Sequence, residues 1–200
     1  MKHITISEVG PRDGLQSVET TLSTEAKLAW IEAEYGAGVR EIEVGSFVSP
    51  KLLPQMADTE AVVRGAQHLE GLIIAVLVPN VRGFESALRA GAHKISVPLS
   101  LSETHSLKNV RRTHAQMLDE IRSCLKLVEA MPESEKPVFE VGLSTAFGCT
   151  LEGVVPESFV VEMAERVLDL GVAEVGLSDT TGMGNPAQLE RLLTGIWQRC

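Results

Sequence analysis

A chain of 200 residues, 44% hydrophobic and 22% charged, holds enough apolar material for one buried core and has an ordinary globular composition. A formal net charge of -9 with no long basic run argues against nucleic acid as a partner, yet leaves room for a local cluster that binds an anionic coenzyme. No apolar stretch reaches membrane-helix length, and Cys124, Cys149 and Cys200 are spaced as free thiols, so no membrane partner and a cytoplasmic location are expected.

In chain order, a strand is predicted over Ile4–Val9; the strand-like run starts at His3 and leaves no apolar signal region. Thr24 to Tyr35 carries Ala26, Leu28, Ala29, Ile31 and Ala33 in a helical pattern, and Gly36 and Gly38 stop it. A strand follows over Glu41–Gly45, and Pro54 to Asp58 reads as a loop leading into a helix. The strand Leu72–Val78 precedes a helix over Val81–Ala90 that Gly91 ends. Next come the strand Lys94–Val97 and the longest predicted helix, Asn109–Met131, closed by Pro132. Val138–Leu143 is a strand, Pro156–Leu170 a helix ended by Gly171, and Glu174–Leu177 the last strand. Asn185 and Pro186 open the final helix as an N-cap and a first-turn proline.

Several of these strands are apolar at nearly every position, as expected when helices cover a parallel sheet on both faces. Alternating strands and helices fit either a doubly wound sheet or a (β/α)₈ TIM barrel. Polar and glycine-rich residues gather after nearly every strand, which favours the barrel, whose loops at the strand C-termini carry function. A barrel has eight such units in about 250 residues and this chain has six. The expectation is therefore an α/β chain forming a single barrel-type catalytic domain over residues 1–200, incomplete at its C-terminus. In such a chain the outer strands are open edges, through which a homo-oligomer could form.

The first strand runs into Gly10-Pro11-Arg12-Asp13-Gly14-Leu15-Gln16. A carboxylate at a strand end can ligate a divalent cation, and a neighbouring guanidinium can stabilise an oxyanion; a surface ion pair in a turn is the plainer alternative. Glu43 interrupts an apolar strand, and a buried carboxylate needs a partner, for which Arg12 is the natural candidate. That pair could be purely structural. No Gly-x-Gly-x-x-Gly follows the first strand, which argues against a dinucleotide-binding fold.

These motifs in this order resemble the 3-hydroxy-3-methylglutaryl-CoA lyases. The resemblance rests on Gly10-Pro11-Arg12-Asp13-Gly14-Leu15-Gln16, Glu43, Ser46-Phe47-Val48-Ser49-Pro50-Lys51 and Pro54-Gln55-Met56-Ala57-Asp58. It continues through Pro79-Asn80, Ser100-Leu101-Ser102-Glu103, Lys108-Asn109, Gly148-Cys149 and Asp179-Thr180. Synthases of the same wider group usually carry Thr-Leu-Arg-Asp-Gly at the first strand. Leu101 and Thr150-Leu151 depart from the lyase pattern, and so bear on which acyl group is accepted.

The resemblance implies a metal-dependent carbon-carbon lyase that cleaves 3-hydroxy-3-methylglutaryl-CoA to acetyl-CoA and acetoacetate, a reaction of leucine breakdown. The implied cofactor is Mg²⁺ or Mn²⁺, with Asp13 as a ligand. Arg12 would stabilise the enolate-like oxygen, Glu43 would hold Arg12, and Asp179 would support the metal site or the substrate. Gln16, Ser46, His105 and Lys108 are the other substrate-binding candidates, with a solvated loop as the plainer reading of His105 and Lys108. His93 and Cys149 read as structural, and His3, His68 and His114 carry no motif.

In the family a His-x-His pair on the seventh strand and a later asparagine supply further metal ligands, and a glycine-rich loop after the eighth carries a reactive cysteine. None has a counterpart in these residues, so the chain by itself is expected to have little or no activity. Two alternatives stay open: a lyase or aldolase acting on another acyl-CoA such as a citramalyl ester, or a non-catalytic barrel piece that self-associates or binds a partner.

Overall fold

The computed structural model describes residues 4–199, in which a strand followed by a helix recurs six times. His3 and Cys200 lie outside the described residues. The strands are β1 (Ser7–Glu8), β2 (Glu41–Ser46), β3 (Ile73–Leu77), β4 (Lys94–Ser100), β5 (Val138–Ser144) and β6 (Glu174–Leu177). The helices are α1 (Thr24–Gly36), α2 (Thr59–Ala66), α3 (Val81–Ala90), α4 (Glu103–Asn109), α5 (His114–Glu129), α6 (Glu157–Asp169) and α7 (Pro186–Arg199). The strands neighbour one another in chain order, and the pairings β1/β2, β2/β3, β3/β4 and β5/β6 are parallel. No helix among the described residues is long and apolar enough to cross a membrane.

The chain divides into two compact units. The first comprises Met1–Ser96 with Pro132–Pro137, the second Val97–Met131 with Val138–Cys200. In the first, Ile42, Ile74, Val76 and Ile95 of the strands are fully buried, as are Ile31 of α1, Val62 and Val63 of α2, and Phe84 of α3. In the second, Val97, Leu99, Val141 and Leu143 are buried with Met117 and Ile121 of α5 and Val160 and Ala164 of α6. Burying side chains of this size contributes roughly 1.5–3 kcal/mol each, so both cores are built on the strand faces that helices cover.

The strands are less uniformly apolar than expected. In β4, Ile95, Val97 and Leu99 are buried while Lys94, Ser96 and Pro98 are half-buried; in β5, Phe139, Val141 and Leu143 are buried while Glu140 and Gly142 are not. This alternation has a physical cause on the second face, where polar groups pair: Lys94 Nζ reaches Glu41 Oε1 of β2 at 3.3 Å. The first strand is also shorter than predicted, because pairing is confined to Ser7–Glu8 and Ile4 and Ile6 are exposed.

The predicted helix over Asn109–Met131 is α5, which starts only at His114; the short helix α4, holding His105 and Lys108 where a loop was expected, ends at Asn109 just before it. Ser102 caps α4 by accepting the His105 N–H at 3.1 Å, and Val110 follows its last residue. Arg111 then takes φ 56°, a left-handed conformation that breaks helical hydrogen bonding. Thr113 restarts the helix through a reciprocal capping box with Gln116, at 3.3 and 2.9 Å. The expected N-cap at Asn185 is present, its Oδ1 accepting the Gln188 N–H at 3.0 Å.

Candidate active site

Past β1 the segment Gly10–Gly14 forms one turn of π-helix. The Val9 carbonyl accepts the N–H groups of Arg12 (3.1 Å) and Asp13 (2.7 Å), and the Leu15 N–H returns to the carbonyls of Gly10 and Arg12. Wide turns of this kind are rare and recur at functional sites. Glycine is required at the turn's first position. A Cβ on Gly10 would stand 2.8 Å from Glu8 Oε1 and 2.9 Å from Cζ2 of Trp30 in α1.

The turn leaves the Arg12 side chain 15% exposed and the Asp13 side chain 59% exposed. Arg12 Nε donates to Glu43 Oε2 at 2.7 Å and Nη2 approaches the same oxygen at 2.6 Å, while Nη1 donates to Asp13 Oδ1 at 2.7 Å. The guanidinium is therefore gripped on two edges and cannot swing. Gln16 lies at the margin of this cluster, its Nε2 3.5 Å from Asp13 Oδ1.

Glu43 and Ser46 are three residues apart, an odd offset that a regular strand would place on opposite faces. The register shifts between Glu43 and Gly45 as β2 pairs with β3: Glu43 lies beside Ala75, Gly45 beside Val76 and Ser46 beside Leu77. The extra residue, Val44, resets the alternation, so that Glu43 and Ser46 share a face. Gly45 is then turned toward α2, where a Cβ would be 2.6 Å from Thr59 Oγ1. Ser46 is fully buried, and its Oγ has no hydrogen-bond partner among the described residues. Leaving a buried hydroxyl unsatisfied costs about 1–3 kcal/mol, a cost that a ligand oxygen could relieve. Beyond Ser46, the loop Phe47–Pro50 and the start of α3 at Asn80, Arg82 and Gly83 line a cleft of about 390 Å³. That volume lies in the small-ligand range.

The first unit thus brings together Arg12, Asp13, Glu43 and Gln16, with Ser46 further along the Glu43 face. The remaining candidates belong to the second unit. Asp179, after β6, accepts the N–H of Met183 at 2.9 Å on one oxygen and that of Gly184 at 3.0 Å on the other, so it orders its own loop. His105 is half-buried in α4, its Nδ1 2.7 Å from Ser100 Oγ at the end of β4, and Lys108 is exposed near the end of the same helix. His93 is structural, as expected: its Nδ1 meets the Ile74 N–H at 3.2 Å and the Leu72 carbonyl at 3.0 Å.

The sequence reading passed over several polar groups in the second unit. His114 Nε2 lies 2.8 Å from the Ser100 carbonyl, so two histidines converge on one serine. Glu152 Oε1 accepts the Thr104 N–H at 2.7 Å, and hydrogen bonds from Thr104 hold its carboxyl below the usual carboxylate range against a desolvation penalty. Burial pushes the Cys149 thiol up, but hydrogen bonds from the Ser102 hydroxyl and the Leu151 and Glu152 backbone bring it below its usual value. In the first unit, the buried Lys27 forms an ion pair with the partly exposed Asp58. A lysine between Ala26 and Leu28 in a helix was the one available hint of it.

The implied divalent cation does not fit what is present. Glu43 is engaged by Arg12, which leaves Asp13 as a single carboxylate ligand, and no group of three or more His, Cys, Asp or Glu side chains placed to hold a metal occurs among the described residues. Hard cations take several oxygen ligands, and one carboxylate does not make a selective site.

A family described as HMGL-like matches residues 3–200. Hydroxymethylglutaryl-CoA lyase YngG of Bacillus subtilis is 39% identical over 198 residues, which cover 99% of this chain and 65% of that protein. The crystal structure of the Bacillus subtilis HMG-CoA lyase superposes with a TM-score of 0.91 at 37% identity, over 100% of this chain and 66% of that one. An HMG-CoA lyase of Acinetobacter baumannii, solved in complex with coenzyme A and 3-methylmalate, gives 0.90 at 36% identity over 97% and 62%. The α/β fold, six parallel strands in chain order, thus follows the barrel of these lyases. The chain spans slightly less than two thirds of the length of these relatives.

Proposed function

The chain belongs to the HMGL-like family, and from that premise we propose that it carries the strand-one and strand-two chemistry of a lyase cleaving 3-hydroxy-3-methylglutaryl-CoA to acetyl-CoA and acetoacetate. The observation that carries this reading is the Arg12 guanidinium fixed by Glu43, with the unpartnered Ser46 hydroxyl on the same strand face.

In the cleavage the tertiary hydroxyl loses its proton and the bond between the carbinol carbon and the carbon next to the thioester breaks. The bonding electrons move onto the thioester oxygen as an enolate, which takes up a proton to give acetyl-CoA, while the former carbinol becomes the ketone of acetoacetate. Arg12 is suited to the enolate oxygen, because a cation fixed before the reaction needs no reorganisation as charge develops. Glu43 sets the direction of that cation. Ser46 is suited to a hydrogen bond with an acyl oxygen, and Gln16, His105, Lys108 and Asp179 are the further substrate contacts of the proposal. Asp13 is the one ligand proposed, among the described residues, for the Mg²⁺ or Mn²⁺ that the resemblance implies.

An acyl-CoA is the proposed substrate, in keeping with the coenzyme A bound by the Acinetobacter protein. A cytoplasmic setting and a place in leucine breakdown belong to the same reading; the buried, unbridged Cys124 and Cys149 are compatible with a reducing compartment. The test is acetoacetate release from 3-hydroxy-3-methylglutaryl-CoA with Mg²⁺, measured on this chain and on any longer natural protein that contains it. Acetoacetate from either supports the proposal. Its absence from both, with turnover of a citramalyl ester instead, would move the assignment to that acyl group.

A further inference from the structure

One buried charge has no part in the proposed chemistry. Lys27 of α1 is 2% exposed, and its Nζ donates to the Gln55 carbonyl and to Asp58 Oδ1. Lysine is almost never buried this deeply unless paired, and a buried pair is often no more stable than apolar residues of similar volume. Stability alone is therefore a weak account of it, and its connections offer a better one.

Asp58 stands at the N-cap of α2 but makes no side-chain bond to that helix. An N-cap aspartate ordinarily stabilises its own helix by accepting one of its N–H groups. Here one carboxylate oxygen meets Lys27, and the other accepts from Thr24 Oγ1 at 2.8 Å. Gln55, whose carbonyl Lys27 holds, donates its side-chain amide to the Val18 carbonyl, just beyond Gln16. Thr59 Oγ1 bonds the Ser46 carbonyl at 3.0 Å and the Met56 carbonyl at 2.8 Å, which ties the end of the loop back to its start. Helix α1 also braces the Arg12 turn directly, since Trp30 lies against Gly10.

We propose that Lys27 is a positioning residue for the Arg12–Glu43–Ser46 site, the buried cation that fixes the loop 47–58 and, through Gln55, the segment after Gln16. Its connection to substrate rests on the lyase reading; its connection to the loop does not. An apolar side chain at position 27 fills the same space but cannot hold two acceptors from a loop 28 and 31 residues away in sequence.

The test compares Lys27→Met and Lys27→Arg by amide hydrogen exchange on this chain and by kinetics on the active protein. Lys27→Met is expected to speed exchange at Leu52, Leu53, Met56 and Ala57, whose N–H groups bond within the loop, about tenfold more than at Ile74–Val76 of β3. It is expected to raise KM about tenfold with kcat within about threefold, and Lys27→Arg should stay within about threefold on both. Equal acceleration in loop and β3 with KM unchanged would overturn the proposal, because a residue serving global stability alone behaves in that way. If Lys27→Met does not fold, Asp58→Asn serves, with the same loop-specific exchange expected and the same uniform result counting against it. If the wild-type protein shows no lyase activity, the lyase reading fails, and the contrast in exchange still decides the role of Lys27.

Discussion

Replacing Glu43 by alanine tests the centre of the site. The substitution leaves the Arg12 guanidinium, 15% exposed, without the carboxylate that two of its nitrogens approach at 2.6–2.7 Å. Removing one member of a well-buried ion pair costs about 3–5 kcal/mol, mostly because the other charge is left uncompensated. Two features reduce that figure. Arg12 keeps its contact with Asp13 at 2.7 Å, and its partial exposure lets water replace some of what is lost. The expected cost is therefore about 2–3 kcal/mol, read as a lower urea midpoint with an unchanged slope. The double variant Arg12→Met, Glu43→Ala should recover at least about 1 kcal/mol of this, since no charge then remains buried. Glu43→Ala within about 0.5 kcal/mol of wild type would refute the argument that Glu43 compensates Arg12.

Three further outcomes are expected. Ser46→Ala should leave thermal stability unchanged or slightly raised, because the hydroxyl lost has no partner, while binding of the proposed acyl-CoA substrate weakens about tenfold; a clear drop in melting temperature would show that the hydroxyl is satisfied in the free protein. Gly45→Ala should destabilise by about 1–3 kcal/mol in urea unfolding, since its Cβ would fall 2.6 Å from Thr59 Oγ1 and the bulge leaves little room to yield. Glu152 has a lowered pKa, so its contribution is complete above its ordinary value of 4.5 and fades as pH falls below that, through the lowered value. Glu152→Gln should then cost melting temperature at pH 7 and progressively less as the medium is acidified through the carboxylate range; a constant difference across pH would contradict this.

Much of the molecule was legible in the residue order. The repeating strand-helix unit follows from apolar patterning with glycine and proline stops, and those signals are local, so no tertiary information is needed to read them. The Arg12–Glu43 pairing was also within reach, because a carboxylate in an apolar strand has to find a cation. The start of α5 was local as well, written in the Thr113–Gln116 capping box, whereas the residues of the short α4 before it read as a loop.

Other features were settled only by contacts between distant segments. The bulge at Val44 places Ser46 on the Glu43 face, and a one-residue slip in a strand leaves no mark in composition because its cause is pairing with β3. Lys27 and Asp58 are 31 residues apart, and either would pass for a surface charge in isolation. Sequence determines which groups exist and what each requires. The fold decides which are satisfied, and the Ser46 hydroxyl, buried without a partner among the described residues, could be recognised only once the groups around it had been placed.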